Sequence, residues 1–342
     1  MRFLKPQLVA GLLIATVSVS AQTVITGAGA TFPAPLYQKW FSQYRSVDSS
    51  VQINYQAIGS GGGIRNVTEG VVDFGASDGP MTDDQIKAFQ QKRGSNILHF
   101  PMVLGAAVPS YNLPGVSQEL NFTPEVLAGI FLGNIKKWND PAIAKANPGV
   151  RLPNIDIIVA HRSDGSGTTY CLTDYLSKVS PEWASKVGKP NISISWPTGI
   201  GGKGNDGVAG LIKQQEGALG YIELIYAVSN HLPYGKVRNK AGAFVKADLQ
   251  TVTAAAASVA NTMPNDFRVS ITDAPGARAY PIATFTWLLV PAKIQDSAKR
   301  KALVGFLNWA ITTGQNSVEG LDYAKLPPQV AAKEKNAIKL IQ

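Results

Sequence analysis

Cysteine is almost absent: Cys171 is the only one among 342 residues, so no internal disulfide can form and the fold must rest on its packed core. Histidine is scarce, and His99, His161 and His231 stand at no spacing that suits a metal ion. Past the N-terminal region no apolar run is long enough to cross a bilayer. There is no internal repeat, and low complexity is confined to the alanine run Ala254–Ala257. Basic runs interleaved with aromatics, the footprint of a nucleic-acid surface, are missing. The 32 lysines and arginines are spread out, with mild density only at Lys299–Lys301 and Lys333–Lys339. That reads as solvated helix faces and argues against a nucleic-acid partner.

What is present begins with a charged Arg2 and Lys5, an apolar core from Leu8 to Val19 and the small residues Val19-Ser20-Ala21. This predicts a secretory signal peptide over residues 1–21. No cysteine stands at its end to carry a lipid, so the expected product is a soluble exported chain without a lipid anchor. The 321 residues that follow suffice for two domains, and loss of Arg2 and Lys5 lowers the formal net charge from +9 to +7.

Strand-like and helix-like stretches alternate, which predicts an α/β architecture. Val51, Ile53, Tyr55 and Ala57 alternate with polar residues as in a half-buried strand, while Leu36, Tyr37, Trp40, Phe41 and Tyr44 share one helical face. Thr82-Asp83-Asp84-Gln85 fits a capping box. Further helices are expected at Thr123–Leu132, Thr168–Val179, Asp206–Gln215, Asp248–Asn261, Ser297–Thr313 and Gln329–Ile341, with Gly314 stopping the fifth of these. Two long apolar stretches, Ile97–Val108 and Tyr280–Val290, are what a chain needs if it leaves one domain, builds a second and returns. Two ordinary buried strands of one sheet would read the same way.

The most telling segment is Arg162-Ser163-Asp164-Gly165-Ser166-Gly167-Thr168, which follows the apolar Ile157–Ala160 and leads into a helix. Glycines let successive backbone N–H groups point one way. A helix start leaves amides without partners at a positive dipole end. Hydroxyls add donors, and the guanidinium offers a fork suited to oxyanions. Two companions repeat the order of strand, glycine-rich turn with a hydroxyl, and helix: Gly27-Ala28-Gly29-Ala30-Thr31-Phe32-Pro33 and Gly59-Ser60-Gly61-Gly62-Gly63. One such loop is ordinary turn geometry; three, with an arginine in one, predict an anion site.

Nucleotide and hydrolase motifs fail in detail. Phe32 stands where a dinucleotide fingerprint needs its third glycine, and Gly202-Lys203 is followed by Gly204 where a P-loop needs Ser or Thr. Ser166 has Asp164, not glycine, two places before it, so there is no nucleophile elbow. Asp78 ends the strand-like Val71–Ser77 and by itself reads as a turn residue before Gly79-Pro80. Inside an anion site it would be selective, because an ionised carboxylate repels an anion unless that anion has a proton to share. Phosphate carries one at neutral pH and sulfate does not.

With those residues in view, the sequence resembles the periplasmic phosphate-binding proteins of the bacterial phosphate-specific ABC transport system. The matching blocks are GAGATFPAPLYQKW at 27–40, NYQAIGSGGG at 54–63, VDFGASDGP at 72–80 and RSDGSGTTY at 162–170. FLGNIKKWNDPAIAKANPG at 131–149, GIGGKGNDGVAGLI at 199–212, GALGYIEL at 217–224 and LDYAKLP at 321–327 complete them. The resemblance implies a two-lobed periplasmic-binding-protein fold of type II with two crossing strands and a ligand cleft between lobes that close by a hinge. Residues 22–103 and 283–342 would make one lobe, and 104–282 the other. Phosphate would be held by Thr31, Phe32, Ser60, Asp78, Arg162, Ser166, Gly167 and Thr168, with Phe32 and Gly167 giving backbone amides. Asp164 would pair with the arginine, or act as a local cap of the following helix. Neither catalytic residue, cofactor nor metal is implied. The expected partners are inorganic phosphate and a membrane-embedded ABC permease complex, served by a periplasmic monomer. Gly61 and His161 depart from the residues some relatives carry, and Asn205 or Asp206 is expected to cap a helix. A binding protein for another oxyanion and a secreted phosphomonoesterase are the competing readings.

Overall fold

A computed structural model describes residues 22–342; the expected signal peptide, residues 1–21, lies outside them. The strands are β1 (Thr23–Gly29), β2 (Val51–Ala57), β3 (Phe74–Ser77), β4 (Ile97–Tyr111), β5 (Asn121–Phe122) and β6 (Ile158–Arg162), followed by β7 (Ile200–Gly202), β8 (Ala218–Glu223), β9 (Lys236–Arg238), β10 (Phe244–Val245) and β11 (Ala283–Pro291). Eight of them form one sheet in the order β2-β1-β3-β11-β4-β8-β6-β7, and β10-β9-β5 form a small second one. Helices between the strands cover the sheet, so the expected α/β layering holds.

The two apolar stretches are the spine of this arrangement. β4 runs for 15 residues. It pairs with β11 from Ile97 to Ala106 and with β8 from Ala107 to Tyr111, antiparallel in both cases. One strand therefore joins the two halves of the sheet. β11 lies between β3 and β4, antiparallel to each, with a register shift between Thr286 and Trp287. All nine of its residues are buried, and only Leu98 of β4 is not. Continuous Val/Leu/Ala/Phe runs are what a strand covered on both faces requires. The second stretch enters the sheet at Ala283, and its lead-in is tied to β4 by the Ala107 N–H donating to the Ile282 carbonyl at 3.0 Å.

Local signals held where capping chemistry is explicit. Thr82 accepts from the Gln85 N–H, and the Gln85 side chain accepts from the Thr82 N–H, opening the helix Asp83–Arg93. The helix Ala34–Val47 buries Leu36, Tyr37, Trp40 and Tyr44 as its periodicity predicts. Gly314 is not the stop of the helix at Ser297. That helix ends at Ala310, and Gly314 sits in a short 3-10 turn, Thr313–Ser317. The Thr312 hydroxyl captures the Asn308 carbonyl at 2.6 Å and so competes for a last-turn acceptor.

The glycine-rich loops also differ from expectation. Gly27 and Gly29 belong to strand β1, and Gly61–Gly63 lie inside the helix Ser60–Glu69. Their common function is close approach. A Cβ on Gly63 would lie 2.6 Å from the Gly29 Cα and 2.7 Å from the Ala28 and Ala76 carbonyl oxygens. Only backbone is there to yield, so the helix rests on the sheet with no side chain between. Among the described residues no helix is long and apolar enough to cross a membrane.

Two alanine substitutions separate these roles. Gly63→Ala should destabilise by about 2–3 kcal/mol through overpacking against rigid backbone. Gly210→Ala sits in the helix Gly204–Gln214 with open space around the added methyl, and it should stabilise by about 0.5–1 kcal/mol. Urea denaturation midpoints of the two variants check both signs.

Candidate functional site

The anion-site residues come together although they lie far apart in sequence. β3 delivers Asp78 at its end, the helix Ser60–Glu69 starts with Ser60, and the helix Gly167–Val179 starts at the Gly-Ser-Gly turn. Thr31, Phe32, Ser60, Asp78, Arg162, Ser166 and Thr168 are each no more than 5 % exposed, and Gly167 is buried with them.

Asp78 sits at the junction. Its Oδ1 accepts from the Thr286 hydroxyl at 2.8 Å, and its carbonyl accepts from Thr284 Oγ1 at 3.1 Å. Its N–H donates to Ser60 Oγ at 3.3 Å, and the Gly167 N–H donates to the same oxygen at 3.0 Å. A Cβ on Gly167 would lie 2.6 Å from Asp78 Oδ2, so only glycine lets the second helix come this close. Burial pushes the Asp78 carboxyl up to about 7, against the Thr286 hydroxyl, the Arg162 charge and the Ser60 hydroxyl, which favour ionisation.

Arg162 ends β6 with its side chain shut from solvent. Nε donates to Asp164 Oδ1 at 2.8 Å, Nη2 to Asp164 Oδ2 at 2.6 Å, and Nη1 to Thr168 Oγ1 at 3.4 Å. That fork-to-fork pair fixes the guanidinium plane. Burial alone would raise the Asp164 carboxyl. The Arg162 hydrogen bonds and charge, with the Gly204 N–H at 3.0 Å, outweigh it and hold the carboxyl below its ordinary range. Asp164 thus pairs with the arginine, and the cap of the following helix is Ser166, whose Oγ accepts from the Thr169 N–H at 3.0 Å.

The peptides on either side of Phe32 are each held by a tyrosine. Tyr226 donates to the Thr31 carbonyl at 2.6 Å and Tyr323 to the Phe32 carbonyl at 2.5 Å. In a planar trans peptide the Phe32 N–H points opposite to the Thr31 carbonyl, so Tyr226 aims that amide. The Gly167 amide differs from expectation in donating to Ser60. Across the seam the Gly61 N–H donates to the Gly165 carbonyl at 2.9 Å. His161 stacks on Trp196 with ring centroids 5.0 Å apart, and burial lowers its pKa, so it stands as a neutral neighbour.

Three participants escaped the sequence reading. Thr284 and Thr286 are hydroxyls two apart in an otherwise apolar strand, a pattern visible in the sequence. Asn205 was expected to cap a helix, or Asp206 in its stead. The helix instead starts at Gly204 with no side-chain cap, and Asn205 is buried. Its Nδ2 donates to Thr31 Oγ1 at 2.9 Å and to Thr168 Oγ1 at 3.3 Å. No local signal distinguishes that bridge from a cap.

The sequence profile of the PBP superfamily domain matches residues 16–313. The phosphate-binding protein PstS of Pasteurella multocida is 42 % identical over 331 residues, covering 96 % of this chain and 94 % of that one. PstS of Methanocaldococcus jannaschii is 40 % identical, covering 93 % and 86 %. The chain belongs to the PstS family of phosphate-binding proteins. Solved structures place it in the same fold. The high affinity periplasmic phosphate-binding protein PfluDING superposes with a TM-score of 0.74 at 19 % identity, covering 92 % of this chain and 93 % of that one. A phosphate-binding protein from Stenotrophomonas maltophilia gives 0.70 at 19 % identity, covering 92 % and 93 %. Family membership and the two-lobed α/β architecture expected from the resemblance therefore hold.

The raised Asp78 carboxyl has a measurable consequence. The unfolded chain ionises this group near its ordinary 3.8 while the folded chain keeps the proton to about 7, so Asp78 lowers stability progressively as pH rises through that window. Asp78→Asn removes the penalty. Its stability relative to the parent should rise from acid to neutral pH by a few kcal/mol, on the order of 1.4 kcal/mol per pH unit, and then level off. Denaturation at a series of pH values without added anion checks the slope.

Proposed function

We propose that the protein binds inorganic phosphate reversibly in the periplasm and hands it to an ABC-type import permease, without chemistry on the ligand. The observation that carries this reading is a buried carboxylate, Asp78, set among hydrogen-bond donors where an anion site was expected. Family membership supports the transport role: the relatives named above are phosphate-binding proteins.

The ligand set we propose is the one the family resemblance implies, and the burial of these residues in one cluster supports it. Thr31, Ser60, Ser166 and Thr168 give hydroxyls, Phe32 gives its amide, and Arg162 gives the N–H groups left after its pairing with Asp164. Gly167 contributes an amide shared with Ser60. Asp78 accepts the proton of the anion. Taking an oxyanion out of water requires such donors in place of its hydration shell. Lobe boundaries at 103/104 and 282/283 are part of the same proposal. They draw support from β4, which exchanges β11 for β8 as its partner between Ala106 and Ala107. Two lobes closing on a ligand by hinge motion would assemble donors from both sides.

Asp78 makes selectivity depend on pH. Above about 7 the carboxylate is ionised and repels sulfate, which has no proton to offer; below that it carries its own proton and becomes a donor. Calorimetric titrations should therefore show strong phosphate binding at neutral pH and above. Sulfate affinity should rise as pH falls below 7, and Asp78→Asn should bind sulfate with little dependence on pH. Sulfate or molybdate bound in preference to phosphate by the parent at neutral pH would overturn the assignment. Turnover of a chromogenic phosphate ester would favour the esterase reading.

A further inference from the structure

A hydroxyl has one proton to give and two lone pairs to fill. At two of the site hydroxyls both lone pairs are already occupied. Thr31 Oγ1 accepts from the Asn205 backbone N–H at 3.3 Å and from Asn205 Nδ2 at 2.9 Å. Thr168 Oγ1 accepts from Arg162 Nη1 at 3.4 Å and from Asn205 Nδ2 at 3.3 Å. Neither threonine can accept anything more, so the remaining capacity of each is to donate.

Asn205 is itself held in one orientation. Its Oδ1 accepts from the Glu223 N–H at 2.9 Å. Turning the amide over would set Nδ2 against that N–H, donor on donor, and would present a carbonyl oxygen to both threonines. The residue is fully buried, so water cannot compensate. Each hydrogen of the Nδ2 group thus has its own threonine.

We propose that Asn205 is a positioning residue that locks Thr31 and Thr168 as obligate donors and thereby sets the protonation state of the anion the site prefers. The inference rests on the phosphate reading above and extends it. Hydrogen phosphate brings one P–O–H, which Asp78 accepts, and its other oxygens meet donors. Dihydrogen phosphate brings a second, and a P–O–H aimed at Thr31 or Thr168 meets another proton head on. Other acceptors are few. Ser60 Oγ is filled by the Asp78 and Gly167 N–H groups, Asp78 Oδ1 is engaged by Thr286, and Ser166 Oγ already caps Thr169. Asp78 sets the requirement for one proton; Asn205 opposes a second.

Calorimetric titration of inorganic phosphate into the parent and into Asn205→Ala, at a pH below and a pH above the second ionisation of phosphate, tests this through the ratio of the two affinities at each pH, since Asp78 gains its own proton over the same range in both proteins. The variant frees one lone pair on each threonine. Its affinity should fall about 10- to 100-fold above that ionisation. Below it the loss should be about threefold or less, because the freed lone pairs accept the extra proton. An equal loss at both pH values, the signature of a merely structural role, or no loss at either, would overturn the inference. Should Asn205→Ala fail to fold, Asn205→Asp keeps the shape and turns both threonine protons toward the new carboxylate. It should show no measurable binding above the ionisation, and parental affinity there would overturn the proposal equally. A parent protein that binds no phosphate at either pH would refute the functional reading itself, a result distinct from any behaviour of the variants.

Discussion

Burying one carboxylate organises this molecule. An ionised group held away from water is expensive unless it is hydrogen-bonded, and Asp78 draws its partners from three separate segments: Thr286 on β11, Ser60 at a helix start and the charge of Arg162 on β6. The strand between β3 and β4, one helix on the first side of the cleft and the arginine on the second are all committed by the same need. Arg162 is neutralised by Asp164, which leaves Asp78 as the uncompensated charge of the cluster. An anion receptor of this kind has no positive excess to offer and must work through oriented dipoles: amides at the ends of helices and hydroxyls whose protons point one way. Such a receptor reads hydrogen-bond geometry more than charge.

The seam between the lobes follows the same economy. Gly61 and Gly165 face each other, and a Cβ on either would lie 3.1 Å from the Cα of the other. Gly59, in a left-handed conformation with φ of 86°, leaves room for Asp164 and the Gly165 carbonyl. Backbone meets backbone there, so the contact relies on peptide groups whose positions the chain fixes.

Much of this was legible beforehand where the signal is local. The Thr82 capping box, the aromatic face of the helix at Ala34 and the two apolar strands could be read because each is determined by neighbours in sequence. The three loops pointed to an anion site, and the family resemblance added Asp78 and named the individual residues, which the fold buries together. The glycines were misread in role: Gly29 and Gly63 looked like turn formers and instead permit a helix to lie on the sheet, a contact between residues 34 apart. Asn205 and Thr286 were missed for the same reason. A bridge between Thr31 and Thr168, or from β11 to the end of β3, exists only after the chain has closed over more than half its length. Asn205 beside Asp206 at a helix start looks like a cap, and propensity gives no hint that tertiary contacts have claimed it.

The position of β11 has a consequence for the order of events during synthesis. The middle of the sheet is supplied by residues 283–291, after all its other strands have emerged. Until then β3 and β4 have a strand-wide gap between them and each presents an unpaired edge. A ribosome delivering this chain from its N-terminus therefore produces a molecule that stays unfinished until its last sixth appears. The nascent protein is held open by its own topology, with the keystone strand arriving close to the end.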